Sequence, residues 1–184
     1  MTNAPLMLSI SGARGIVGES MTNEVASTYA HAFVSFLQEK LGRTPTLCVA
    51  RDSRPSGPEL QQAVADAFIS CGCTVTDLGV VATPTAGVMI HALKADGGII
   101  VTASHNPTPW NGIKCLDGDG LAPSKEESTE IIRRYHAEVS LPDKEGGKLV
   151  ENSQGHDTHI AKVLGVIDPQ PIIEKRFRVV LDSV

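Results

Sequence analysis

Short apolar runs alternate with stretches of helical spacing along most of this chain, and that alternation limits the fold more than any other feature. The runs are LMLSI at 6–10, LCVA at 47–50, TVTDL at 74–78 and GIIV at 98–101, each of strand length. Between them, Val25, Tyr29, Phe33, Phe36 and Leu37 recur at helical spacing over 23–41, and Leu60, Val64, Ala67, Phe68 and Cys71 over 58–71. Thr22 or Asn23 can cap the first helix and Gly42 can end it; Pro58 suits a first turn and Gly72 a stop. A third helix opens at Pro84 and reaches 93 or 94. A fourth runs from Ser124, whose capping box Glu127 completes, to about His136. This repetition predicts an α/β fold, a mixed, mostly parallel sheet covered by helices. WNGIKCL at 110–116 reads as a turn and then an antiparallel edge strand. SGARG at 11–15 reads as a turn with two glycines around Arg14.

Beyond residue 137 the pattern loosens. LPDKEGGK at 141–148 reads as a surface loop or hairpin, 156–167 as a short helix and RFRVVLD at 176–182 as a strand. That strand either opens a second, truncated domain or returns to the edge of the main sheet. The first organisation places one domain at 1–150, with a linker helix and the first strand of the next at 151–184.

Composition narrows the function. The 184 residues, 41% hydrophobic and 20% charged, suffice for one core plus a remainder. A net charge of −5 gives a nucleic-acid partner no electrostatic support. No run approaches the roughly 20 apolar residues of a membrane span. MTNAPLMLSI lacks the basic start and apolar centre of a secretory leader, so a cytoplasmic protein with no membrane partner is expected. Cys48, Cys71, Cys73 and Cys115 form no C-x-x-C pair and are expected to be reduced and mostly buried. The sequence specifies no oligomeric state.

Three loops that follow strands carry the unusual residues: 11–15, 51–56 and 102–114. On parallel strands they share one edge of the sheet, where open α/β folds bind ligands. Arg14, Arg51, Arg54, His105 and Lys114 would then surround Ser104 of TASHNP (102–107), a cationic set suited to phosphate oxygens. The competing readings are solvated loop charges and a self-paired loop in which Asp52 orients one arginine. Lys114 faces inward or outward on its strand. Ser104 and His105 are not a hydrolase pair, because no G-x-S-x-G surrounds them and nucleophile and base are matched by geometry, not adjacency. Neither G-x-G-x-x-G nor a P-loop occurs. DGDG at 117–120 reads as a turn, without the ligand pattern of a calcium loop. His31, His91 and His136 fall on helices as surface fillers, and His156 and His159 are too isolated for a metal site.

TASHNP followed by WNGIK resembles the phosphoserine loop of the α-D-phosphohexomutase family: phosphoglucomutases, phosphomannomutases and phosphoglucosamine mutases. SGARGIVG and ARDSRPSG resemble two further loops of that family's first domain, and the terminal RFRVVLDSV resembles the start of its second. The resemblance implies the first domain of a four-domain enzyme. It implies that Ser104 is phosphorylated, donates its phosphoryl group to a bound hexose monophosphate and takes the other one back from the bisphosphate intermediate. Arg14, His105 and Lys114 then join Ser104 as catalytic residues, with Lys114 the candidate for proton transfer. Arg51, Arg54 and Asn111 bind phosphate or substrate. Mg2+ would sit on the phosphoserine oxygen of Ser104, with its aspartate ligands in a D-G-D-x-D-R motif beyond residue 184, and a hexose bisphosphate would act as activator. The chain alone is accordingly expected to be inactive. The implied partner is a phosphorylated hexose or hexosamine. The main expectation is the phosphoglucomutase/phosphomannomutase type; a phosphoglucosamine mutase and a non-catalytic phosphosugar-binding module are the alternatives.

Overall fold

The computed structural model describes residues 5–182. Residues 1–4 and 183–184, which include the end of RFRVVLDSV, lie outside them. The described strands form one sheet: β1 (Met7–Ser9), β2 (Gly12–Ile16), β3 (Thr46–Arg51), β4 (Thr74–Val80), β5 (Gly97–Val101), β6 (Trp110–Asp117) and β7 (Lys148–Glu151). Their order is β1-β2-β6-β5-β3-β4-β7. β5, β3, β4 and β7 are joined by parallel pairings, while β6 pairs antiparallel with β5 and β2, and β1 antiparallel with β2. The mixed α/β sheet expected from the alternation is what forms.

Successive strand residues face opposite sides of the sheet, so each strand feeds two cores. α1 (Asn23–Leu41), α2 (Gly57–Ser70) and α4 (Lys125–His136) cover one side, where Tyr29, Phe33, Leu60, Phe68 and Ile131 cluster with Leu47, Val49, Ile99, Val101 and Ile113. α3 (Thr83–Leu93) covers the other, with Met89 and Ile90 against Cys48, Ala50, Ile100 and Leu116. All four cysteines are free and buried. Burial pushes the thiols of Cys48 and Cys73 up to about 12, which keeps them protonated and inert. None of the described helices is long and apolar enough to cross a membrane.

Two expectations change here. Residues 12–16 are not a turn but strand β2, and β6 is therefore an interior strand, not an edge. Glycine lowers strand propensity, yet a Cβ on Gly12 would drive into the Ile113 carbonyl, so close backbone approach explains that glycine. Its φ of 121° also makes the tight β1–β2 reversal possible.

The caps behave as read. Thr22 accepts from the Val25 N–H, Gly42 closes α1 in the left-handed region, and Ser124 and Glu127 complete the capping box. Arg134, only 7% exposed, donates to Glu39 and Ser35 of α1 and to Glu130, tying α4 to α1. Hydrogen bonds from Arg133 and Arg134 hold the Glu130 carboxyl at about 2, below its ordinary 4.5. A carboxyl depressed in the folded state stabilises above its unfolded pKa and loses that contribution as pH falls through its folded pKa. Glu130→Gln is therefore expected to flatten thermal stability between pH 4.5 and 2. A melting-temperature curve identical to wild type across that interval would remove Glu130 from acid unfolding.

After α4, residues 141–147 form an irregular loop, as expected, and the chain then adds β7, an exposed parallel strand on β4 that the sequence pattern does not predict. α5 (Gly155–Leu164) then docks on α3. His159 Nδ1 lies 2.9 Å from Thr85 Oγ1, and His156 Nε2 lies 3.2 Å from the Val80 carbonyl, so both histidines serve docking. α6 (Gln170–Lys175), unforeseen from the sequence, follows. Residues 176–182 form no strand and do not return to the sheet; Val179, Val180 and Leu181 stand exposed.

Candidate active site

The carboxyl ends of the parallel strands β3 and β5 carry the loops 52–56 and 102–109. The Asp52 N–H donates to the Val101 carbonyl at 3.0 Å and the Thr102 N–H to the Gly112 carbonyl at 2.9 Å, so the ladders run on into both loops. Beyond Thr102 the chain turns, with the Asn106 N–H bonded to the Ala103 carbonyl at 3.1 Å and the Trp110 N–H to the Pro107 carbonyl at 2.9 Å. Ser104 stands exposed on this turn with φ 57°. That left-handed conformation costs a residue with a Cβ about 1–2 kcal/mol.

The conformation is held from both sides. The Ser104 N–H donates to Thr102 Oγ1 at 3.0 Å, and the Thr102 hydroxyl donates to Asp52 Oδ2 at 2.7 Å. Arg54 Nη2 donates to the Ser104 carbonyl at 2.9 Å and the Asn106 carbonyl at 2.7 Å. Arg54 Nη1 reaches the Pro107 and Trp110 carbonyls, both at 3.0 Å, and Nε pairs with Asp52 Oδ2 at 3.1 Å. The pairing of Asp52 with Arg54 is the one the self-paired reading of this loop contains. Ser104 Oγ and His105 Nδ1 lie 3.5 Å apart, too far for a strong hydrogen bond, so the two are not coupled as nucleophile and base.

Arg14 joins this group from the antiparallel half of the sheet, and Lys114 lies two residues further along β6 on the same sheet face. Arg14 pairs with Gly112 and Lys114 with Ile100, and alternation puts both on the α3 side. Arg14 Nη1 donates to Asn106 Oδ1 at 3.2 Å, which brings its guanidinium to the serine loop. A Cβ on Gly112 would lie 2.9 Å from Arg14 Cγ and 2.5 Å from the Ala13 carbonyl, so glycine lets the arginine cross β6. Lys114 is half-buried and makes no side-chain hydrogen bond or ion pair among the described residues.

Arg51 and Asn111 are placed elsewhere. Arg51 pairs with Val101, so it faces the α2 side and lines a recess with Pro58, Gln61, Gln62 and Asp77. Asn111 is wholly buried; its Nδ2 donates to Ser56 Oγ at 2.9 Å and its Oδ1 accepts from the Gly112 N–H at 2.8 Å. It ties β6 to the entry of α2. Thr102 and Asp52 had no site role in the sequence reading; a polar residue directly after each of two adjacent buried strands is the signal that could have found them.

An open cleft of about 490 Å3 beside Ser104 is lined by Asp52, Ser53, Arg54, Pro55, Asn106, Pro107 and Thr108. A cleft of the same volume, lined by Phe33, Lys40, His91 and Asp119, contains no residue of the serine loop. No group of three or more His, Cys, Asp or Glu among the described residues could hold a metal ion, and Asp52 is already engaged by Arg54 and Thr102. The residues present therefore do not make a magnesium site.

An exposed hydroxyl on a clamped turn, with a guanidinium bonded to that turn, suits a phosphoryl group. The chain belongs to the phosphoglucomutase/phosphomannomutase family, residues 7–141 matching the model of its alpha/beta/alpha domain I. It is 39% identical over 155 residues to a protein of Methanopyrus kandleri named probable phosphoglucosamine mutase, covering 84% of this chain and 33% of that one. A phosphoglucomutase/phosphomannomutase of Thermococcus kodakarensis is 37% identical over 127 residues, 69% of this chain and 28% of the relative. Among solved structures, a phosphoglucomutase/phosphomannomutase family protein from Burkholderia thailandensis superposes with a TM-score of 0.71 at 28% identity, covering 88% of this chain and 37% of its own. The chain thus spans about a third of the length of the relatives it matches.

Proposed function

We propose that this chain is the phosphoserine-bearing domain of a hexose-phosphate mutase, with residues 1–150 forming that domain and 151–184 leading into the next. The observation that carries the reading is Ser104, exposed at φ 57° and anchored on both flanking peptide groups, with Arg14 bonded to its loop. Phosphoryl transfer draws mainly on positioning and charge stabilisation. The bond from Ser104 Oγ to phosphorus breaks as a sugar hydroxyl oxygen bonds to the same phosphorus. The hydroxyl proton passes to a base and Ser104 Oγ takes up a proton; Lys114 is the residue assigned to that exchange. The bisphosphate then returns its other phosphoryl group to Ser104, and a free hexose bisphosphate activates by loading the serine. Arg14 and Lys114 stabilise charge on the transferring oxygens, with His105 as a further polar group on the turn. No step is assigned to Mg2+.

The names of the relatives favour an amino sugar: besides the Methanopyrus protein, the relatives from Symbiobacterium thermophilum and Clostridium kluyveri are named phosphoglucosamine mutases. We therefore place a hexosamine phosphate ahead of the glucose and mannose phosphates first expected. Turnover of glucosamine, glucose and mannose phosphates by the natural protein tests this. The expected result is a rate on the glucosamine phosphate at least tenfold above the others; a faster rate on glucose or mannose phosphate would overturn the assignment. The 184-residue chain by itself is expected to turn over none of them, because it spans about a third of the length of the relatives it matches.

A further inference from the structure

Arg54 has no donor left for a ligand. A guanidinium carries five N–H donors. Here Nε serves Asp52, Nη1 serves Pro107 and Trp110, and Nη2 serves Ser104 and Asn106. Its side chain is 13% exposed, and the Asp52 carboxylate neutralises it. The same carboxylate accepts from Thr102, whose oxygen accepts the Ser104 N–H. The peptide groups before and after Ser104 are therefore fixed by one connected cluster, and those two groups define the residue's φ and ψ.

We propose that Arg54 is a positioning residue, not a phosphate ligand: with Asp52 and Thr102 it clasps the 104–110 turn in the shape that presents the Ser104 hydroxyl. The proposal rests on the phosphoserine reading for its effect on turnover, but not for its effect on the loop. Lysine has three donors on a single nitrogen and cannot span carbonyls of four residues, so charge alone does not replace Arg54.

Arg54→Lys and Thr102→Val in the natural protein test this by two readouts. Amide hydrogen exchange of residues 103–111 is expected to quicken at least tenfold in both variants while the helices exchange at wild-type rates. kcat is expected to fall about 100-fold with KM within threefold of wild type, and added methylguanidine is expected to restore part of the kcat of Arg54→Gly. Wild-type exchange in the loop of Arg54→Lys would overturn the clasp. A rise in KM with kcat unchanged would overturn it too, by making Arg54 a substrate ligand. Faster loop exchange in both variants, in a protein whose wild type shows neither turnover nor phosphate on Ser104, would uphold the clasp and defeat the mutase reading.

Discussion

The Ser104→Gly protein is expected to accept no phosphoryl group from a hexose bisphosphate and to be at least as stable as wild type. The two halves have separate causes. Glycine removes the only atom that can carry the phosphoryl group at this position. It also removes the Cβ that makes φ 57° unfavourable, a cost of about 1–2 kcal/mol. The added freedom of glycine in the unfolded chain returns roughly 0.5–1 kcal/mol of that gain. The Ser104 N–H and carbonyl anchors belong to the backbone and survive the change. Chemical denaturation and phosphoryl-loading assays of the same preparation check both parts. A variant that loads normally would show that the carrier is another residue. A loss above about 1 kcal/mol would show that the serine side chain supports the turn.

Gly112→Ala should have the largest effect on stability and should damage the site as well. The new methyl group would lie 2.5 Å from the Ala13 carbonyl and 3.0 Å from the Thr102 carbonyl, both in backbone that the sheet fixes on either side of β6. Overpacking of this kind costs about 2–3 kcal/mol. In a domain of this size that lowers the melting temperature by roughly 5–10 °C. Arg14 Cγ, 2.9 Å from the methyl position, must also move, and its bond to Asn106 goes with it. Gly18→Ala is the control. Its φ is 79° but nothing lies within 4 Å of the added carbon, so only backbone strain of about 1 kcal/mol is expected. Equal melting temperatures for the two variants would contradict the packing argument.

Local signals made much of the fold legible. The bounds of α1 follow from Thr22 and Gly42, and the start of α4 from the Ser124–Glu127 box, because caps satisfy backbone groups that the chain itself leaves open. β2 is not legible in the sequence, because GARGI holds two glycines and, beyond its short hairpin with β1, its ladder is with β6, almost a hundred residues away. RFRVVLD has strand composition, but a strand exists only where a neighbouring strand supplies the ladder, and residues 176–181 join no ladder among the described strands.

The site divides in the same way. Arg14, Ser104 and Lys114, on which the proposed mechanism rests, are visible as polar residues on loops and strands next to buried runs, and the structure bonds Arg14 to the serine loop. Arg51 was grouped with them by charge, although its phase with Leu47 and Val49 already assigns it to the opposite face. Arg54 and Asn111 could not be read, because a sequence displays donors and acceptors but not which of them the fold has already used.

Phosphosite mapping of the natural protein bears most directly on the central claim. The account predicts an intact mass greater by one phosphoryl group, removed by phosphatase, restored by a hexose bisphosphate and localised to Ser104 by peptide fragmentation. Phosphate found reproducibly on another serine, or a bisphosphate that binds the cleft and leaves Ser104 unmodified, would contradict it and leave a phosphosugar-binding domain in its place.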